Sequence, residues 1–273
     1  MVIVGRHNLR RGCNAATEVT ACGGRRAVSY RVEASKAHSW SDAQLDALFA
    51  EGFPAFITAD QEVKKYIGLV REYFPHLDVM LVDDEKGEPV ATGWGVPISW
   101  SGEVENLPVS FADVLRRAVE VHQTGSGADT FVICGGIVHP GRKGTGVAEE
   151  LITSLCGTAE THGLLRVLAP VRPTRKHQYP LFSIEEYASW SRPDGLPFDP
   201  WLRLHARLGA NVIAMAPEAQ TMTATVGEWE KWAGLAMPAS GEYVIPQGMS
   251  VLRLDRDADL GTYVEPNVWV RHR

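Results

Sequence analysis

The residues with the clearest capacity for chemistry lie in one stretch, VHPGRKGTGVAEELI, at 138–152. An apolar, β-branched run precedes it and an amphipathic pattern follows it, so its glycines fall at a strand-to-helix junction. Gly144 and Gly146 carry no Cβ, which lets the backbone turn tightly and approach an anion closely. The amides of residues 145–148 would lie in the first turn of the helix, where no helical acceptor reaches them. The helix dipole places partial positive charge at the same end. This is a cradle for a phosphate group. It is not a Walker loop, since no Gly-Lys-Ser/Thr closes it, and it is not GxGxxG. His139, Arg142 and Lys143 stand beside it and can either meet phosphates or sit in solvent.

The other candidates are scattered. His205, in RLHARLG, is the one side chain there that titrates near neutral pH. PTRKHQYP gathers Arg175, Lys176, His177 and Tyr179, a group suited to an anion and equally to a solvent-facing loop. Asp129 and Thr130 open the central strand, where a base or a turn fits. Cys134 sits in an apolar run and is read as core. The four cysteines (Cys13, Cys22, Cys134, Cys156) form no CxxC pair, so neither a zinc site nor a disulfide framework is expected, and no metal.

These residues need elements to hold them. SYRVEA, at 29–34, reads as a first strand. Ser41 or Asp42 caps a helix through LDALFA, and Asp60 begins another, EVKKYIGLVREYF, closed by Pro75. A hairpin follows, LDVMLVDD and PVATGWGVPISW around EKGE, and it carries Trp94 and Trp100. VSFADVLRRAVEVHQTG has helical spacing and ends where Gly125 suits a left-handed cap. TFVICGGIV is a central strand; Gly135 and Gly136 in it suit a bulge or a close approach. VAEELITSLCGTAETHG is an amphipathic helix and LLRVLAPV a buried strand. An insertion runs from 172 to 200, rich in proline, aromatic and charged residues. PWLRLHARLG is a short helix, ANVIAMAP and QTMTATV are two closing strands, and 228–273 is appended. The order gives a mixed α/β layer structure.

The bulk numbers narrow the function. A net charge of -6 excludes a general nucleic-acid binder, which needs a basic surface. No apolar run approaches the ~20 residues that span a bilayer, so no membrane partner is expected. Residues 1–27 lack the apolar core of a secretory signal and read as a poorly ordered extension, which implies a cytoplasmic location.

The 138–152 segment resembles the acyl-CoA motif of the GNAT superfamily of N-acyltransferases, Gln/Arg-x-x-Gly-x-Gly/Ala after a Val-x-Pro strand end. Val138 and Pro140 match the strand end, and Lys143 takes the Gln/Arg place with its charge kept. Gly146 and Ala148 take the two small-residue places, and Leu151 and Ile152 match the apolar pair that seats the helix. RLHARLGA, at 203–210, resembles the late-helix signature of Tyr, three residues, then Gly-Phe. The resemblance covers roughly 28–226.

It implies an α/β, GNAT-like fold with a mixed, mostly antiparallel central sheet flanked by helices and with splayed central strands. Residues 28–273 would form one acyltransferase domain, with the insertion 172–200 and a C-terminal extension 228–273. The co-substrate would be acetyl-CoA or another acyl-CoA, and the partner a small-molecule amine acceptor; a homodimer is compatible with it. Gly136, Ile137 and Val138 would pair with pantetheine, and Arg142, Lys143, Gly144, Thr145, Gly146, Val147 and Ala148 would hold the pyrophosphate. His205 stands where relatives place a proton-donating tyrosine. Trp94, Arg175 and His177 fall on the acceptor side. Function without amine transfer (O-acyl transfer, decarboxylation, hydrolysis or acyl-CoA sensing) needs the same loop and stays open.

Overall fold

The computed structural model describes residues 29–34, 40–49 and 52–273; the extension expected at 1–27 lies outside them. Strands β1 (Tyr30–Ala34), β2 (Val79–Asp83), β3 (Pro89–Ile98), β4 (Thr130–Val138) and β5 (Arg166–Val171) pair in sequence order. β4 and β5 are parallel, and every other pairing in the nine-stranded sheet is antiparallel. This is the mixed, mostly antiparallel sheet that the resemblance implies.

Helices α1 (Asp42–Phe49), α2 (Gln61–Tyr73) and α3 (Phe111–Thr124) lie toward one face, and α4 (Val147–Thr161) covers the other. Side-chain caps start α2 and α3, and of these the Asp60 cap is the one the sequence assigns. Asp60 accepts from the amides of Glu62 and Val63, Ser110 from that of Asp113, and Gly125 ends α3 at φ +65°. Each helix buries one stripe. From α3 it is Val114, Leu115 and Ala118, and from α4 it is Val147, Leu151, Leu155 and Ala159, all in one core with Phe131, Val132, Val167 and Leu168 of the sheet. No helix among the described residues is long and apolar enough to cross a membrane.

The chain after β5 departs from the simple pattern. The 172–200 stretch contains a short helix, α5 (Ile184–Ser189), with a Ser183–Glu186 capping box. Its aromatic rings Tyr179, Tyr187, Trp190 and Phe198 pack edge-on and tilted against each other, which orders a segment rich in proline. Helix α6 (Pro200–Arg207) follows, capped by Asp199.

The two closing strands expected next are one, β6 (Asn211–Ala224), interrupted by a register shift between Ala216 and Gln220. Pro217 cannot donate to a ladder, which is why the run looks divided from its sequence. The partner of β6 is not its neighbour in the chain but β9 (Leu260–Arg271), the last strand. One edge of β9 pairs with β6 on both sides of that shift. The other is shared by β5, along Val268–Arg271, and by β8 (Leu252–Asp255), along Leu260–Tyr263. Helix α7 (Val226–Ala233) and strand β7 (Gly241–Tyr243) complete the connection between β6 and β9. Together with Phe56 they build a second core around Trp229, Met237, Leu252 and Tyr263. Gly261 is required there: a Cβ would stand 2.2 Å from the Trp229 indole, whose Nε1 donates to the Gly261 carbonyl.

A candidate active site at the fork of two strands

β4 and β5 pair only over Thr130–Arg166, Phe131–Val167 and Val132–Leu168. Beyond that point β5 turns its ladder to β9, while β4 continues to Val138 with β3 alone. From Ile133 onward no strand among the described residues pairs with this edge of β4, and its amides and carbonyls border the cleft left where the two strands part. An extended chain with its own amides can pair there as an added strand. Gly136, Ile137 and Val138 lie on this open stretch, half-buried. The bulge expected at Gly135 and Gly136 falls one residue earlier: β3 keeps step from Trp94 to Gly95 while β4 spends three residues, Ile133 to Gly135, so Cys134 is the extra one. Gly135 has a different duty. A Cβ on it would meet the Trp94 indole at 2.6 Å, so its bareness seats that ring against the strand.

The glycine loop sits at the mouth of the cleft. His139 Nδ1 accepts from the Gly141 amide and shapes a single tight turn over Pro140–Arg142. Gly144 and Gly146 hold φ of +75° and +91°, the left-handed region, which is how they make the tight turn the sequence assigns to them. Gly146 precedes the first residue of α4, whose first backbone bonds run from Glu149 and Glu150 to the Gly146 carbonyl. The amides of Gly146, Val147 and Ala148 thus have no backbone acceptor among the described residues, where an exposed turn enters the helix. Thr145 does not join them: its amide and hydroxyl both donate to the Arg142 carbonyl. The free set is 146–148, one shorter than expected.

Arg142 is also committed. Its guanidinium pairs with the buried carboxylate of Asp83 at the end of β2, so it ties the loop to the sheet. Lys143 is exposed at the turn.

No protein-family model matches the chain. A curated relative does: the arginine N-acetyltransferase avaD of Aspergillus versicolor, 28% identical over 247 residues, covering 81% of this chain and 84% of that protein. Among solved structures, the loading GNATL domain of CurA from Lyngbya majuscula superposes with a TM-score of 0.53 at 15% identity, over 89% of this chain and 96% of that one. The GphF GNAT-like decarboxylase, in complex with isobutyryl-CoA, gives 0.51 at 15% identity, over 84% and 93%. The chain has the GNAT fold and is similar in sequence to an N-acetyltransferase.

Within this GNAT fold the remaining sequence candidates separate. Trp94 lies on the α2 and α3 face. The Arg71 guanidinium stands 4.1 Å from its ring centroid, and Phe111 meets it edge-on. Trp100, by contrast, is buried and donates through Nε1 to the Glu103 carbonyl, a packing role. Asp129 accepts from the Trp100 amide, the Thr130 hydroxyl and Arg166, which fixes the base of β4. Burial pushes the Cys134 thiol far up, so it stays a thiol. Of the insertion's cluster, Arg175 is exposed and His177 half-buried, while Lys176 turns inward. Its ammonium donates to the carbonyls of Tyr179 and Met249 at 2.9 and 2.6 Å, and burial lowers its pKa to about 8.

His205 is 1% exposed, on the last turn of α6. Its Nδ1 lies 2.9 Å from Nε2 of His272, so the two rings share one proton, and Trp201 packs edge-on against it. Burial, with His272 beside it, lowers the His205 pKa to about 3. His272 falls to about 4 through burial and the charge of Arg273. Both rings are neutral at physiological pH. His272 donates its amide to the Val167 carbonyl, one residue before the β4–β5 pairing ends, so the pair flanks the root of the fork.

Sequence reasoning missed the polar group past the end of β5. Arg172 pairs with the buried carboxylate of Glu265, which also accepts from the Tyr263 hydroxyl at 2.7 Å. Asn267, two residues on, is buried. The one sequence signal was an asparagine set inside the otherwise apolar run NVWV.

Proposed function

We propose that this GNAT-fold protein is an acyl-CoA-dependent transferase that moves an acyl group, acetyl first among them, directly onto the nitrogen of a small-molecule amine. The open edge of β4, ending at a loop whose amides at 146–148 have no backbone acceptor among the described residues, carries the reading. Pantetheine amides pair with Gly136–Val138, and the pyrophosphate rests on the amides of Gly146, Val147 and Ala148, with Gly144 and Thr145 shaping the turn. Arg142 holds the loop in place and Lys143 adds charge at its rim. The thioester then lies at the root of the fork. The amine nitrogen attacks the carbonyl carbon, the C–S bond breaks, and the sulfur takes a proton as the nitrogen loses one.

His205 is our candidate for the group that meets the departing sulfur. Its ring is neutral, so it serves as an N–H hydrogen-bond donor and not as an imidazolium. The contact with His272 selects the tautomer: if His272 Nε2–H donates to Nδ1, the proton of His205 is on Nε2. Trp94, Arg175 and His177 are the candidates on the acceptor side. Residues 28–273 act as one domain in this reading, with 172–200 and 228–273 contributing to its walls.

The curated relative acts on arginine by its name, so L-arginine is the first acceptor to try. The test offers acetyl-CoA and longer acyl-CoAs with an amine panel and follows both free thiol and acylated product. Amine-dependent thiol release with matching N-acyl product is expected. Thiol release of equal rate without amine would favour hydrolysis, loss of CO2 from a carboxyacyl-CoA with the thioester kept would favour decarboxylation, and CoA binding without any turnover would favour a sensor.

A further inference from the structure

Asn267 carries a side-chain oxygen that is fully buried and has no hydrogen-bond partner among the described residues, in a residue 5% exposed. Leaving such an atom unpaired is unfavourable, and native proteins keep few of them. Its position is also unusual. On the edge of β9 shared by β5 and β8, strand pairing covers 268–271 and 260–263 and leaves 264–267 between them open. On the opposite edge, β6 is out of step at the same place: three residues, 217–219, stand opposite Pro266 alone. The sheet is therefore loosened on both sides of Asn267, as sheets often are beside active sites.

Strand alternation fixes the face. Asn267 points the same way as Trp269, which pairs with Pro170 of β5. Pro170 shares its face with Leu168, whose parallel partner on β4 is Val132. Val132 pairs with Val96, two residues from Trp94. Asn267 and Trp94 thus face the same side of the sheet, toward α2 and α3, on opposite flanks of the fork. Glu265, also on that face, is already neutralised by Arg172 and Tyr263. The unsatisfied group left on this flank is the Asn267 oxygen.

We propose that Asn267 Oδ1 accepts a hydrogen bond from an N–H of the acyl acceptor and so positions a nitrogen-rich acceptor, an amine or guanidine, at the fork. The inference rests on the transferase reading above. It makes Asn267 a specificity residue that the acceptor completes and acyl-CoA does not touch.

The experiment measures KM for the acceptor and for acyl-CoA separately, with melting curves, in wild type, Asn267→Leu and Asn267→Asp. Leucine keeps the bulk and removes the oxygen. It should raise the acceptor KM by about 10- to 100-fold, leave the acyl-CoA KM within about twofold, and leave Tm unchanged or higher. Aspartate keeps an accepting oxygen and should hold the acceptor KM within a few-fold of wild type. A leucine variant with unchanged acceptor KM would overturn the proposal while sparing the transferase reading. So would an aspartate variant as impaired as the leucine one, since the oxygen would then not be what matters. If the leucine variant fails to fold, Asn267→Ala is read by the same split in KM. A wild-type protein that acylates no amine overturns both readings at once.

Discussion

Valine in place of Gly146 adds a side chain where nothing obstructs it, because no atom lies within 4 Å of the position its Cβ would take. The whole cost is in the backbone. At φ +91° and ψ -10° a residue with a Cβ is less stable by about 1–2 kcal/mol. A free loop will escape that cost by rotating to negative φ, which turns the amides of Val147 and Ala148 away from a common point. CoA must then restore the left-handed geometry on binding, and 1–2 kcal/mol corresponds to a Kd roughly 5- to 30-fold higher. Asparagine tolerates this region better than valine and should fall between the two. Lys143→Ala removes one exposed charge, worth about 0.2–1 kcal/mol, so its effect should stay below about fivefold and shrink in salt. The valine effect should persist in salt, because it comes from fixed amide geometry. Titration calorimetry with CoA at two ionic strengths, beside melting curves, reads all three. An unchanged Kd in Gly146→Val would refute the reasoning, whatever happened to its stability.

Three further outcomes are expected. His205→Ala should lower kcat per folded molecule by about 10²-fold with acyl-CoA affinity kept, and His205→Tyr should regain part of it; normal turnover alongside a lower Tm would make the ring scaffold. Because burial lowers both histidine pKa values, the unfolded chain binds more protons than the folded one between about pH 6.5 and the folded values near 3 and 4. The contribution of the pair is therefore complete above pH 6.5 and lost as pH falls through that window, by up to about 1.4 kcal/mol per ring per pH unit; Tm against pH should flatten in His205→Ala. Deleting 228–273 removes β9 from between β5 and β6 and should abolish cooperative melting, whereas an unchanged transition would mean the sheet closes without it.

What the sequence made legible was local. Glycines at 144 and 146, a Val-x-Pro strand end and an amphipathic run are contiguous, so the loop and its helix could be read together. The side-chain commitments could not. Arg142 meets Asp83 across 59 residues and His205 meets His272 across 67, and no pattern near either residue announces its partner. The same holds for β9. Its pairing with β6 crosses the whole α7–β8 connection, so the C-terminal run reads as an addition when it lies between β5 and β6 in the sheet. Lys176 shows the opposite error of emphasis: in a cluster of four polar residues, the one held inside was the one that charge alone would have placed in solvent.

Three titrating groups near the root of the fork are held in their neutral forms. Cys134 keeps its proton because burial disfavours the thiolate, and His205 and His272 lack one because burial disfavours the imidazolium. The same low polarity acts on a reacting pair. A thiolate leaving there is as poorly solvated as a Cys134 thiolate would be, and an ammonium arriving there as poorly solvated as a protonated His205. Each is relieved by proton transfer to the other, so a neutral site drives amine proton and departing sulfur together without a strong acid or base of its own. On this argument, placing a permanent charge at the root should slow transfer more than removing a titratable ring. His272→Lys should therefore be slower per folded molecule than His272→Leu. The reverse order would mean that the rings exchange protons with the substrate and are not simply part of a neutral floor.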